Sequence, residues 1–497
     1  MLPSSYSRRR RSWRRAGAGV ALGLGLGWLT ACASVGPRGL TAAAPVPDSP
    51  ARPVELPPPP SPTPTPAPAI PADLLKPGAA FSLAQVADVA LANNPVSRTT
   101  WLQARSASAA LTSKKGAYYP SLDLTAGASR MRAIAPGLVP YDETTYGPGI
   151  DLNYLLFDFG GRSGSVEEAR QALLAADYAH NSAIQGVMLG VEQTYFAYLG
   201  TKAQLAAARE TVKAAQVSLD AAKVRHDAGV ATIADVLQAQ TALSQAQLNQ
   251  ESLDGGLLAV RGSLATAMGL PASLPFDVGT LPAEVPLERA RVEVANLIAE
   301  AQVQRPDLAA LRAQAEKAAA HVGTVRAAEL PSLSLAANAN RTHYALTGSS
   351  STIDSWSAGV FLTYPLFYGF SKAANLQQAK EDAAAATAQA DTFSQQVVLQ
   401  VWTSYYALET AKQRVSTSRD LLASAEQSER VALGRYKEGV GTILDLLTAQ
   451  TALASARAQE IQARTDWLTA VAQLAHDAGT AATLGDLKVV TEQMREP

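Results

Sequence analysis

Arg225-His226-Asp-Ala-Gly229-Val230-Ala-Thr232-Ile233-Ala-Asp235-Val-Leu237 returns 210 positions later as Arg435-Tyr436-Lys-Glu-Gly439-Val440-Gly-Thr442-Ile443-Leu-Asp445-Leu-Leu447. At the same offset Gln240-Thr-Ala-Leu243 recurs unchanged as Gln450-Thr-Ala-Leu453, and Val191-Glu-Gln-Thr-Tyr195-Phe196-Ala197 answers Val401-Trp-Thr-Ser-Tyr405-Tyr406-Ala407. Upstream, Asn94-Pro95 pairs with Arg305-Pro306 and Pro120-Ser-Leu with Pro331-Ser-Leu, both at 211. A slip of one position across each copy means one unit of near-constant geometry used twice. The period is too long for a short solenoid repeat, so the chain holds two copies of a large supersecondary unit. The reading places repeat one at 80–287 and repeat two at 288–480, with a tail at 481–497.

Each copy switches period. Leu122-Asp-Leu124-Thr-Ala126 and Ile150-Asp-Leu152-Asn-Tyr154-Leu-Leu156 alternate, and so do Leu333-Ser-Leu335 and Trp356-Ser-Ala358-Gly-Val360-Phe-Leu362-Thr-Tyr364. Period two with one apolar face is strand. A hairpin is therefore expected over 120–158 and another over 331–368, turning near Gly137, Pro140 and Gly348. Leu152, Tyr154, Leu156, Val360, Leu362 and Tyr364 share the apolar face, and Asp151, Asn153 and Thr363 the other. Four strands cannot close a membrane barrel alone.

The remainder reads as helix. Segments 161–229 and 370–439 lack proline and are built from good helix formers. About 68 residues at 1.5 Å each gives ~100 Å, more than a globular core needs. Segments 81–118, 231–268, 288–328 and 441–478 are each read as one shorter helix, two of them end to end matching a long one. Alanines fill the apolar positions (Ala206 to Ala208, Ala383 to Ala386), which permits close, coiled-coil-like approach.

Composition excludes several classes. Of the 497 residues 47% are hydrophobic, 17% charged and 6% aromatic, with one cysteine and a net charge of −1. A lone cysteine rules out an intrachain disulfide framework and a multi-cysteine zinc site. His180, His226, His321, His343 and His476 show no HExxH-type spacing, so neither a metal nor another cofactor is expected. Nothing in the charge points to nucleic acid.

The N-terminus reads as a secretory signal over 1–31: Arg8 to Arg11, Arg14 and Arg15, then an apolar run from Ala16 to Leu29 too short to span a membrane. It closes on Leu29-Thr30-Ala31-Cys32, which resembles a bacterial lipobox with Cys32 as the acylated first residue; an ordinary A-x-A-type cleavage site is the alternative. Acyl chains contribute about 0.8 kcal/mol per buried CH₂ and anchor a protein stably when more than one is present. Ala33 and Ser34 follow the cysteine, and resemblance to lipoproteins then favours the outer membrane. Without residues 1–31 the chain keeps 36 basic and 43 acidic side chains, a net −7. Residues 32–79 carry the proline-rich run of a semi-rigid spacer between lipid and folded body.

A lipobox, two copies of helix–strand–strand–long helix–helix, and the paired R-x-x-x-G-V-x-T-I-x-D-x-L turns together resemble the TolC-like outer-membrane factors, most nearly their lipidated, drug-efflux branch. The resemblance covers residues 80–480. It implies a mixed α and β membrane fold: a homotrimer whose chains each give four strands to a 12-strand outer-membrane β-barrel, continued by a 12-helix α-barrel through the periplasm of a Gram-negative cell. A belt at mid-height would include 270–288 and the C-terminus. The implied role is the exit channel of a tripartite efflux system, with a periplasmic adaptor (membrane fusion) protein and an inner-membrane pump of RND or ABC type as partners. The outer duct of a type I protein secretion system is the alternative.

The same resemblance assigns the tips. Gly229, Val230, Thr232, Gly439, Val440 and Thr442 would meet the adaptor at hairpin tips running to Leu237 and Leu447. Asp445 matches a pore-lining aspartate, and three copies would form an acidic ring; the family's second aspartate is Thr448 here. Leu444 matches an apolar gate residue. Asp235 is expected to bond Tyr436 across adjacent hairpins, although the family's arginine at the position of Gly441 is missing. Solvated tip residues with no gating role are the plain alternative.

Two other classes were open. A lipid-anchored coiled-coil spacer explains the helices and Cys32 but not strands at matched positions. A secreted hydrolase lacks a G-x-S-x-G elbow or paired catalytic motif, so no enzyme is expected.

Overall fold

The computed structural model describes residues 80–133, 141–285, 293–346 and 349–480. In chain order these are β1 (Ala80–Phe81), α1 (Leu83–Asn93), α2 (Pro95–Gly116), β2 (Ser121–Ala133), β3 (Tyr141–Phe157), α3 (Gly161–Asp227), α4 (Ile233–Ala267), β4 (Asp277–Val278), α5 (Val294–Gln304), α6 (Pro306–Ala327), β5 (Ser332–Leu346), β6 (Ser349–Thr363), α7 (Ser371–Lys437) and α8 (Ile443–Asp477). The turns at Gly137, Pro140 and Gly348, the signal, Cys32, the proline-rich stretch and the tail after 480 lie outside the described residues.

The helix expected over 81–118 is two helices, and so is the one expected to end near 328. Proline lacks the N–H that would continue the ladder, and its ring drives the preceding residue out of the α region. Asn94 (ψ 125°) and Arg305 (ψ 119°) are accordingly extended, and Pro95 and Pro306 open the new helices. The break is a splice. Asn94 Nδ2 donates to the carbonyl of Ala267 at 2.9 Å, and Arg305 Nη1 to that of Asp477 at 3.2 Å. Thus α4 runs into α2, and α8 into α6, each composite lying beside a 67-residue helix. Gly269 and Gly479 end the lower helices at φ 74° and 78°, and a Cβ on Gly269 would meet the Asn93 carbonyl at 2.6 Å. Only glycine fits there.

Above the helices β2, β3, β5 and β6 form one antiparallel sheet in that order. Phe159 and Gly160 in copy one, and Gly369 and Phe370 in copy two, take positive φ where strand turns into long helix. At mid-height β1 pairs in parallel with β4, and Lys202 holds Asp277 at 2.8 Å. The main apolar core is here: Phe81, Val86, Val191, Phe196, Leu264, Met268, Val278 and Trp467 are buried around the middle of α3. Below it the seams are lined by small side chains, among them Ala215, Ala222, Ala239, Ala425 and Ala456. A 1.5 Å rise and an alanine seam let α3, α4, α7 and α8 run side by side for most of their length.

Candidate functional site

Two regions hold the candidate functional residues: the lower helical tips and the sheet. At each tip the long helix ends in a left-handed glycine, Gly229 at φ 77° and Gly439 at φ 79°. Val230 N–H returns to the Arg225 carbonyl at 2.9 Å and Val440 N–H to that of Arg435 at 3.0 Å, satisfying carbonyls that the helix end leaves orphaned. The chain then restarts on a reciprocal cap. Thr232 Oγ1 accepts from Asp235 N at 3.3 Å, and Asp235 Oδ2 accepts from Thr232 N at 2.8 Å. Thr442 and Asp445 repeat this at 3.1 and 3.2 Å. A carboxylate three residues into a helix also complements its dipole. Backbone and side-chain hydrogen bonds from Thr442 hold the Asp445 carboxyl below its ordinary range.

Asp445, Leu444 and Thr448 share the exposed side of the first turns of α8, while Ile443, Leu446 and Ala449 are buried behind them. Val230, Val440 and Leu444 are all more than half exposed. A Cβ on Gly441 would sit 3.0 Å from Arg435 Cβ, a tight approach that a side chain there meets only if the end of α7 shifts by a few tenths of an ångström.

The expected Asp235–Tyr436 bond is not made within the chain. Asp235 Oδ2 is taken up by the N–H and the hydroxyl of Thr232, and the buried Tyr436 hydroxyl has no hydrogen-bond partner among the described residues. Arg225 joins the two hairpins instead. Its Nη1 donates to the Tyr436 carbonyl at 2.8 Å, and its guanidinium lies 4.9 Å from the Tyr436 ring centre, a cation–π contact. Burial pushes the Tyr436 phenol up, with Arg225 opposing and Asp235 adding to the shift. The sequence reading missed Arg225; its recurrence as Arg435 marked the motif but not the contact.

In the sheet, register decides which side chains share a face. Leu122 faces Leu152, Leu152 faces Ala337, and Ala337 faces Ala358; Leu124, Ile150, Ala339 and Trp356 form the next such rung. Tyr154, Leu335 and Val360 continue it towards the helices. Asp123, Asp151 and Asn338 lie in one rung of the opposite parity, and Ser121, Asn153 and Ala336 in another. One face is mostly apolar, with Leu124 78% and Trp356 81% accessible; the other is mostly polar, although Leu155, Ile353 and Phe361 stand on it. Thr363 pairs with Ser332 on the polar side. Two assignments change: the register shifts between Leu155 and Phe157, so Leu156 falls in a bulge, and Tyr364 lies one residue beyond β6.

A third feature escaped the sequence. Glu192, in α3, is buried at 6% exposure. Burial pushes its carboxyl up to about 7, with His476 pulling the other way.

Among the described residues no cluster of three or more His, Cys, Asp or Glu is placed to hold a metal ion. No helix among them is long and apolar enough to cross a membrane; a β-barrel needs none.

Known proteins share this arrangement. Protein CyaE of Bordetella pertussis is 29% identical over 398 residues, covering 79% of this chain and 82% of that protein. The probable efflux pump outer membrane protein TtgC of Pseudomonas putida is 25% identical over 404 residues, with the same coverage of 79% and 82%. Among solved structures the outer-membrane channel OprN superposes with a TM-score of 0.72 at 22% identity, over 80% of this chain and 90% of that one. The sequence pattern of the outer membrane efflux proteins matches residues 86–270 and again 297–480, one match to each copy of the repeat, and the chain belongs to that family.

Proposed function

We propose that the chain is the outer-membrane exit channel of a tripartite efflux system, working as a homotrimer. Three four-stranded sheets make a 12-strand barrel, and three sets of helices make the conduit beneath it. The observation that carries this reading is the sheet's two-sidedness. An open sheet with an uncovered, largely apolar face and a mostly polar reverse is unstable in water, and its edges β2 and β6 are free to pair. Closure with two further copies turns the apolar faces to lipid and the polar ones to a water-filled lumen.

The helical tips then converge below. Gly229, Val230, Thr232 and their counterparts Gly439, Val440 and Thr442 dock a periplasmic adaptor, which links the channel to an inner-membrane pump. Leu444 narrows the lumen by an apolar constriction and Asp445 by a ring of carboxylates, with Thr448 one turn above. Cys32 anchors the assembly to lipid. TtgC, by its name, serves an efflux pump; drugs or other small molecules are the cargo proposed here.

The test is the full chain in detergent. A mass of three protomers, with stepwise conductance in planar bilayers, is the expected result. A monomer without conductance overturns the channel reading. Radiolabelled palmitate should enter the wild type and not Cys32→Ser; equal labelling sinks the anchor.

A further inference from the structure

The outward sheet face changes character along its length. Its apolar rungs end at Ala339–Trp356, and the next rung sets Arg341 opposite Asp354. In β2 the same parity carries Arg130 and Arg132 beyond Leu124 and Ala126, with Asp142 opposite Arg132. All of these stand at the end of the strands away from the helices. Arg130 lies 3.2 Å and Arg132 3.9 Å from the two oxygens of Asp142, and Arg341 lies 3.4 Å from Asp354. The three arginine side chains are 69–73% exposed. Three cations thus face two carboxylates, and Asp142 is shared. Exposed pairs of this kind are weak and exchange readily. Between the two groups Tyr146 packs on His343, ring centres 4.8 Å apart, and His343 Nδ1 is bonded to Thr352 at 2.9 Å.

Height locates this rim. Leu333 and Arg341 are both on the apolar-face parity of β5, eight residues apart. That is ~27 Å along a strand at ~3.4 Å per residue, or ~20 Å of height at a tilt of about 40°. Below Leu333 the exposed rings of Tyr364, Phe367, Tyr368 and Phe370 make the other border. An aromatic girdle belongs at the membrane interface, and the apolar band of such barrels is ~25 Å tall. Arg341 therefore falls where hydrocarbon gives way to headgroups, and Arg130 and Arg132, two and three rungs further along, stand beyond it in the headgroup layer. Guanidinium groups there suit phosphate, which they bind through paired N–H donors.

We propose that Arg130, Arg132 and Arg341 form a binding rim for the phosphate groups of a phosphorylated glycolipid in the outer leaflet, whose acyl chains lie along the apolar rungs beneath. The proposal rests on the barrel reading above. Acyl chains and phosphate are engaged together, so the lipid is held and free phosphate is not.

The experiment titrates the detergent-solubilised full chain, followed by native mass spectrometry, with a bisphosphorylated glucosamine-disaccharide lipid, with its dephosphorylated form, and with inorganic phosphate. The phosphorylated lipid should bind more tightly than the dephosphorylated one, by about fivefold for each arginine engaged. Combining Arg130→Gln, Arg132→Gln and Arg341→Gln should erase that difference. Combining Asp142→Asn and Asp354→Asn should enlarge it, a gain that misfolding cannot mimic. Equal binding of both lipids, an unaffected triple variant, or displacement of the lipid by millimolar phosphate would each overturn the proposal. Planar-bilayer conductance of the same preparation separates the two readings. Conductance without phosphate-dependent binding rejects the rim and leaves the barrel; absent conductance rejects the barrel, and the rim with it.

Discussion

Asn94 and Arg305 occupy the same place in the two copies and make the same bond: each donates from its side chain to the last carbonyls of the helix below, Asn94 to Ala267 at 2.9 Å and Arg305 to Asp477 at 3.2 Å. The partnership has diverged in strength. Asn94 also caps Val96 N–H at 2.8 Å and is half-buried. Arg305 is 4% exposed, bonds Gln400 at 2.7 Å, pairs with Asp307 and lies over the Phe393 ring. Copy two is spliced through a buried guanidinium that Asp307 neutralises from its own helix, copy one through a neutral amide.

The two splices should therefore fail unequally. Asn94→Ala loses a cap and one hydrogen bond, about 1 kcal/mol. Arg305→Ala leaves Asp307, Gln400 and the Asp477 carbonyl without their shared donor. Losing hydrogen bonds from a charged donor to buried or half-buried acceptors costs about 2–3 kcal/mol. Thermal melting of the two variants in detergent reads the difference, and equal shifts would count against the splice as described.

Glu192 should make stability depend on pH. Its folded pKa of about 7 stands above the ordinary 4.5, so the folded chain holds a proton that the unfolded chain releases. The charged group acting on it from α8 is His476, itself bonded to Asp477 at 3.2 Å. Burial works against ionised Asp477, but hydrogen bonds from His476 and Gln473 outweigh it and keep that carboxyl low. Glu192 therefore contributes fully below pH 4.5, and its contribution is lost as pH rises through 7. Between those limits the change is about 3 kcal/mol. Glu192→Gln should flatten the melting profile between pH 4.5 and 7 and raise stability at pH 8. An unchanged slope would show that Glu192 is not the group responsible.

The sheet faces give a sharper contrast. Leu152 and Asn153 are neighbours on opposite faces of β3. Arginine on the lipid side near mid-membrane costs about 2–4 kcal/mol and little on the lumen side. Leu152→Arg should lose assembled trimer while Asn153→Arg keeps it, as read by gel migration of unheated samples. Equal assembly of both would refute the barrel.

Much of this was legible because the sequence says it twice. The alternation through Leu152 and Val360 fixes a face wherever the strand is regular, and Gly-Val-x-Thr-x-x-Asp spells a helix end followed by a cap. What could not be read depends on partners distant in sequence. Pro95 and Pro306 were visible as a matched pair, yet a proline opening a helix and one breaking it look alike until the lower helix is seen docking there. Leu156 fits the alternation, but a bulge is a property of the pairing with β5. Arg225 and Glu192 sit in alanine-rich helix where a charged residue ordinarily means solvent; only the neighbouring hairpin and the buried middle of α3 give them other roles. Asp235 was assigned to Tyr436 by likeness, whereas its own cap was already written in Thr232, three residues before it.

Leu444 and Asp445 are adjacent, both exposed, and differ in what they can do to current. With three copies about an axis, the leucines restrict passage by excluding water and the aspartates by attracting cations. Thr442 holds the Asp445 carboxyl below its ordinary range in the single chain, which favours the charged form. Bringing like charges together works in the opposite sense, so the ring titrates as a coupled set. Convergent carboxylates offer hard oxygen ligands to divalent ions. Asp445→Ala should therefore weaken divalent block applied from the tip side and shift cation preference. Leu444→Ala should raise resting conductance and leave that block intact. Thr442→Val separates cap from ring: it removes the hydroxyl that holds Asp445, so the block should move to higher pH without disappearing. Single-channel recording reads all three. If Asp445→Ala leaves the block unchanged while Asp235→Ala abolishes it, the constriction is built from the first copy of the repeat and the assignment of roles to the two aspartates is reversed.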